Sequence, residues 1–227
     1  DSSGDFILHL GGETNSKNFL PLPENANMLI VRQTYKNRIS QTHAKINIKT
    51  ISSAAAPELL TPLKLETQLN QSLAFVKGTA STFINWIHEF KANHKNKLPM
   101  GDQAFFQAAG GDPKICYLHG YYDFGKDEYM KIITDIPECE YWNFQLENYW
   151  MESLDYRHFP IHINESSAIL NKDKTLTINV SHHYLNIKNN LITEGRNNGA
   201  MLLRWIGASA HPIPKVEIKK IDSIEAS

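Results

Sequence analysis

The run Tyr141-Trp-Asn-Phe-Gln-Leu-Glu-Asn-Tyr-Trp150 constrains this chain more than any other stretch. Rings and aliphatics alternate in it with polar groups. An extended backbone sends Trp142, Phe144, Leu146 and Asn148 to one face and Tyr141, Asn143, Gln145 and Glu147 to the other. A helix would mix the two sets. The segment is therefore a strand with one apolar face, and such a face has to be covered by a second layer.

Other runs read the same way. Phe6–Leu10 alternates, and Met28–Tyr35 is the clearest buried strand of the first half. Ala44–Ile51, with Ile46 and Ile48 on one face, reads as its antiparallel partner. Ile115–His119, Glu128–Thr134, Met201–Ile206 and Lys215–Lys219 follow, and Ala168–Leu170 and Leu176–Val180 flank a hairpin turn at 171–174. Only one stretch has helical spacing. Thr61-Pro62 is a good helix start, a capping hydroxyl followed by Pro at the first position. Leu65, Leu69, Leu73 and Val76, then Phe83, Ile84, Ile87 and Phe90, repeat at three and four residues. Gly78 is a potential break between one long helix and two consecutive ones, packed by one face on a sheet. Residues 95–113 read as a long polar loop, a kind that often carries function. The expectation is a mainly β chain: an antiparallel two-sheet sandwich or jelly roll with a helical insertion around residues 62–94. Strands and helices do not alternate regularly, which argues against a doubly wound α/β fold.

At 227 residues, the chain fits one β-sandwich domain over 1–227, read as the C-terminal part of a longer protein. Lys and Arg number 23 against 24 Asp and Glu, a net charge of −1, so composition offers no basic field for nucleic acid. No apolar run approaches the roughly 18 residues of a membrane span. The opening Asp1-Ser-Ser-Gly-Asp5 lacks the basic and apolar regions of a signal peptide, which favours the cytoplasm. Two cysteines, Cys116 and Cys139, do not make a disulfide framework.

The chain has no phosphate loop, no dinucleotide fingerprint, no nucleophile elbow and no Cys-x-x-Cys or His-Glu-x-x-His pair. What stands out is a polar cluster between Asn148 and His162. His158 and His162 have the spacing of helical metal ligands, but Pro160 between them argues against a helix, so neither a metal nor a cofactor is expected. His182-His183 follows a strand end, where one ring could serve proton transfer. Arg32 and Arg204 lie within apolar strands. Each needs a buried partner, with Glu147, Glu152 and Asp155 as candidates, or else it faces a cavity and holds an anion.

Two stretches carry a resemblance. Asn18-Phe-Leu-Pro-Leu-Pro23 with Leu29-Ile-Val-Arg-Gln-Thr-Tyr35 is one. Tyr149-Trp-Met-Glu-Ser-Leu-Asp-Tyr-Arg157 with Arg204-Trp-Ile-Gly207 is the other. On these motifs the chain, over about residues 5–220, resembles the bacterial domain-of-unknown-function family numbered twelve-fourteen. The resemblance implies a β-rich, jelly-roll-like domain with no firmly assigned activity. It marks Arg32, Trp150, Asp155, Arg157, His182 and Arg204 as family-like positions. The chain departs from the pattern after His182, where Glu194 is the only nearby acidic residue.

Three functions fit these readings. The first is binding of a small, anionic molecule in an aromatic cleft lined by Arg32, Trp150, Arg157 and Arg204. The second is an enzyme, a hydrolase, lyase or isomerase, in which Asp155 and His182 do acid–base work. The third is an accessory module for a preceding segment, which a large exposed apolar patch would favour. The partner expected is a small-molecule ligand, with self-association into a homo-oligomer left open.

Overall fold

The computed structural model describes residues 3–12, 16–26, 28–51 and 59–224, so Asp1 and Ser2 lie outside it. In chain order the elements are β1 (His9–Leu10), β2 (Phe19–Leu20), α1 (Pro62–Asn93), α2 (Gln103–Ala108), β3 (Ile115–Asp123), β4 (Glu128–Thr134), β5 (Tyr141–Leu146), β6 (His162–Asn164), β7 (Leu176–Ser181), β8 (Asn190–Ile192), β9 (Asn198–Ile206) and β10 (Lys215–Lys220). The last eight strands form two four-stranded sheets. One runs β3-β9-β5-β6 and is antiparallel throughout. The other runs β10-β4-β7-β8 and is antiparallel except for the parallel pair β7–β8.

The sheets pack face to face, as the alternating run requires. Trp142, Phe144 and Leu146 of β5 join Cys116, Leu118, Met201, Leu203 and Trp205 in a core completed from the second sheet by Met130, Ile132, Ile178 and Val180. The β-sandwich is therefore present as the alternation predicts. The parallel pair is the one departure, and asparagine side chains hold it. Asn179 Nδ2 donates to Lys188 O at 2.8 Å, and Asn190 Nδ2 donates to Ser181 Oγ at 2.8 Å.

Among the described residues three expected strands do not form. Met28–Tyr35 and Ala44–Ile51 are largely exposed and belong to no described ladder, and Ala168–Leu170 does not pair either. The reason is shared: a side-chain amide takes the place of a neighbouring backbone. Gln33 Nε2 donates to Ala44 O at 3.3 Å while its Oε1 accepts from Ala44 N at 2.9 Å. Asn189 does the same for Ile169, at 2.8 and 2.9 Å. Strand propensity identifies chain that can be extended, but pairing needs a partner that only the tertiary structure supplies.

The helical reading holds over Pro62–Asn93 as a single helix, with Thr61 Oγ1 accepting from Lys64 N at 3.2 Å and Gly78 passed without a break. Its expected contact with a sheet is confined to the C-terminal turns. Ile87 and Phe90 are buried with Phe106, Tyr121 and Ala200 on the outer face of the β3-β9-β5-β6 sheet, whereas Leu65, Leu69, Leu73 and Val76 are exposed. Past its end the chain is clipped to β3, with Asn96 N donating to Tyr121 O at 2.7 Å and Lys95 paired with Asp123 at 2.6 Å. The expected loop at 95–113 contains α2, capped by Asp102.

Candidate functional site

Strand parity builds the site. The outward positions of β3 are Tyr117, His119 and Tyr121, those of β9 are Ala200, Leu202 and Arg204, and those of β5 continue from Asn143 and Gln145 to Glu147. In an ordinary sandwich this polar face meets water. Here α1, α2 and the segment around Arg32 border it and leave an open cavity of about 600 Å³. Its walls include Trp86 and Gly78 from α1, His119, Glu147 and Arg204 from the sheet, and Arg32.

Glu147 is buried at the end of the floor strand β5. Its backbone is pinned by Glu147 N donating to Ala200 O at 2.9 Å, and it accepts from the Tyr122 hydroxyl at 3.3 Å. Gly199 makes that approach feasible, because a Cβ there would come within 2.3 Å of Glu147 O. Glu147 is 3% exposed. Gln145 links it to the arginine: Gln145 Nε2 donates to Glu147 Oε1 at 2.7 Å, and Arg204 Nη1 donates to Gln145 Oε1 at 3.3 Å. Burial pushes the Glu147 carboxyl up to about 7, with Arg204 and Gln145 pulling the other way. Desolvation likewise lowers Arg204, with Glu147 opposing. Among the described residues Arg204 makes no direct ion pair, and the Gln145 contact is its one side-chain hydrogen bond.

His119 is 5% exposed and wedged among rings, stacked on Phe90 at 4.9 Å and 11° and against Phe106 at 4.6 Å. Burial, then the charge of Arg204, brings it down to about 3, so the imidazole is neutral at physiological pH. Trp86 meets Phe83 and Phe106 edge-on at 5.3 and 5.6 Å.

Three side chains that line this cavity each bury one polar atom without a hydrogen-bond partner among the described residues: Glu147 Oε2, His119 Nδ1 and Trp86 Nε1. Folded proteins leave few buried polar groups unpaired, and each such group calls for a reason. The three side chains border one cleft together with Arg32, Arg204 and several rings. No group of three or more histidine, cysteine, aspartate or glutamate side chains among the described residues is placed to hold a metal.

Of the six residues singled out in the sequence, Arg32 and Arg204 line the cavity. Arg32 also donates to Gly110 O. The other four lie elsewhere. Asp155 and Arg157 pair with each other at an exposed corner, Nε to Oδ1 at 2.9 Å and Nη2 to Oδ2 at 3.1 Å. His182 is buried, with Nδ1 on Thr193 Oγ1 at 2.8 Å and Nε2 on Phe124 O at 3.1 Å, so both ring nitrogens are engaged. Trp150 is 59% exposed and rests on Tyr149. Glu194 serves the backbone, accepting from Asp155 N at 2.6 Å and pairing with Arg196. Both cysteines are free thiols.

Sequence reasoning passed over Trp86, Tyr117 and His119, and weighed Glu147 only as an arginine partner. The signal for Glu147 lies in the alternation itself, which places Asn143, Gln145 and Glu147 on the face of β5 opposite its apolar side chains.

No helix among the described residues is long and apolar enough to cross a membrane. No family model and no curated protein matches the chain. Among solved structures, the VPA0106 protein from Vibrio parahaemolyticus is a distant match, 15% identical over 72% of this chain and 47% of its own, with a TM-score of 0.39. An uncharacterised protein from Burkholderia cenocepacia, whose crystal structure matches 95% of this chain at 37% identity with a TM-score of 0.88, shares its fold, and this chain spans 60% of that protein's length.

Proposed function

We propose that the protein binds a small carboxylate with a planar apolar body in the cavity beneath α1. The observation that carries this reading is the gathering of Glu147, His119 and Trp86, each with one unpartnered buried polar atom, around one cleft with Arg32 and Arg204. Arg204 and Arg32 receive the carboxylate, since a guanidinium fork matches its two oxygens. The rings of Trp86, Phe83 and Phe106 take the body. The Glu147, Trp86 and neutral His119 side chains make up the polar part of the same wall. The volume lies within the roughly 300–1,000 Å³ of small-molecule sites. Arg32 and Arg204 are also two of the positions matched by the resemblance to the bacterial family twelve-fourteen, whose membership we propose on those motifs.

The enzyme reading through Asp155 and His182 has less support, because neither side chain lines the cavity and both are engaged elsewhere.

Gly78 provides the test. It lines the cavity from α1, and a Cβ added there meets nothing within 4 Å, so Gly78→Phe puts a ring into the cavity without straining the helix. Calorimetric titration with benzoate is expected to give saturable binding to the wild type and at least a tenfold loss in Gly78→Phe. Equal affinity in the two proteins would place the binding elsewhere.

A further inference from the structure

The cavity beneath α1 has a buried acid beside one of its arginines. Glu147 is 3% exposed, and among the described residues no ion pair joins it to Arg204. The Gln145 amide stands between them. Its orientation is fixed, because Arg204 Nη1 can only donate and so must meet the amide oxygen, at 3.3 Å. That leaves the amide nitrogen for Glu147 Oε1, at 2.7 Å. Glu147 Oε1 is thus occupied as an acceptor, and Oε2 is the oxygen buried without a partner among the described residues. An ionised carboxylate leaves charge on an oxygen that no donor meets. A protonated one leaves a neutral hydroxyl, the smaller cost of burial. What favours the ionised form is first the nearby charge of Arg204 and then the Gln145 hydrogen bond.

We infer that a carboxylate binding at Arg204 takes up a proton from solvent, and that Glu147 receives it. This coupling rests on the reading of the cavity as a carboxylate site. Before binding, one acid has the charge of Arg204 to itself. After binding, two acids surround the same charge, and two carboxylates sharing a site do not both ionise without cost. The ligand meets Arg204 directly, whereas Glu147 reaches it only through an amide, so Glu147 is the acid that yields. The proton settles on Oε2, since Oε1 accepts from Gln145. No bond of the ligand breaks.

The charged and titratable groups around Glu147 come from several elements. Arg204 lies on β9, Tyr117 and His119 on β3, and Arg32 on the segment before α1. The Tyr122 hydroxyl of β3 donates to the Glu147 carbonyl. The residues of α1 in the wall carry no titrating group. His119 is neutral above about 3, and burial pushes the Tyr122 hydroxyl up. Glu147, at about 7, changes charge where a simple carboxylate ligand is ionised throughout.

Calorimetric titration of the wild type with benzoate tests the coupling in Tris and in imidazole, two cationic buffers that do not compete for an arginine. Binding at roughly pH 8 is expected to take up about half a proton or more, read from the difference in heat between the buffers. At roughly pH 6 it should take up almost none, because Glu147 already carries the proton. Affinity is expected to fall at least about fivefold between roughly pH 7 and 9. In Glu147→Gln both effects should vanish. Uptake that persists in the variant would move the proton to another group. A folded variant that no longer bound benzoate would also contradict the coupling, because glutamine reproduces the protonated side chain. Infrared difference spectra of the wild type read the same proton without a variant. Binding at roughly pH 8 should bring up the carbonyl band of a protonated carboxyl, and its absence would overturn the inference. Benzoate binding with no proton uptake at that pH would sink the coupling and leave the carboxylate site standing. No benzoate binding at any pH would overturn the reading of the site itself, and the coupling with it.

Discussion

Arg204→Met is expected to abolish carboxylate binding, with a loss of about two orders of magnitude or more, while leaving the fold as stable as before or more stable. The first part follows from burial. Truncating a desolvated charged partner costs about 2–5 kcal/mol of binding, because the group left behind has no water to turn to. The second part follows from what Arg204 lacks. Its one side-chain hydrogen bond among the described residues is a 3.3 Å contact to Gln145, and desolvation dominates its energetics. Replacing a poorly compensated buried charge by an apolar side chain of similar length is commonly neutral or stabilising by about 1–4 kcal/mol. Glu147 does not become a stranded charge, since Arg204 is the main group holding its carboxyl down, and without it the acid stays protonated at neutral pH. Thermal unfolding and benzoate calorimetry on the same two proteins read both halves. A variant that loses several kcal/mol of stability would show Arg204 to be a structural ion instead of a binding group.

Glu147→Gln is expected to change the pH dependence of stability. The Glu147 carboxyl lies at about 7 in the folded chain against an ordinary 4.5. The folded state therefore binds its proton more tightly, and the stability this gives is fully present below about 4.5 and lost as pH rises towards 7. Two and a half units correspond to about 3 kcal/mol. His119 acts in the opposite sense. Lowered from 6.5 to about 3, it contributes stability that is present above 6.5 and lost as pH falls. Between about 4.5 and 6.5 the two slopes oppose, and the wild type is expected to be nearly flat. The glutamine variant keeps only the His119 slope. Its advantage over wild type should be smallest near pH 4.5 and grow by about 3 kcal/mol towards pH 7 and above. Urea midpoints across that range measure it. Parallel curves for the two proteins would show that Glu147 is already ionised in the fold.

Much of the sandwich was legible because its evidence is local. The alternation in Tyr141–Trp150 fixes which side chains of β5 enter the core, and it places Asn143, Gln145 and Glu147 on the face where the cavity forms. Thr61-Pro62 and the following leucines fix where α1 begins. The misread segments are those whose fate depends on distant chain. Ile30 and Val31 have strand propensity, but Gln33 ties that segment to Ala44 through a side chain and no ladder forms. The site was half legible for a similar reason. A charged residue inside an apolar strand must be explained, so Arg32 and Arg204 were visible. Trp86 and His119 are ordinary members of apolar runs, and only the packing of α1 on β3 brings both into the wall of one cleft, each with a buried ring nitrogen that has no partner among the described residues. Asp155 and His182 drew attention by residue type, but type says nothing of whether their atoms are already engaged.

The most direct test of the binding site watches the indole N–H of Trp86. The chain has four tryptophans, and nitrogen–proton correlation spectra resolve their side chains separately. Trp205 donates to Pro212 O at 3.2 Å, whereas the Trp86 N–H is buried and unpaired in the cavity wall. On titration with benzoate the Trp86 resonance is expected to move saturably, Trp205 to stay in place, and the Trp86 shift to vanish in Arg204→Met. A Trp86 signal that does not move at saturating benzoate, or that moves equally in the variant, would contradict carboxylate binding in the cavity beneath α1.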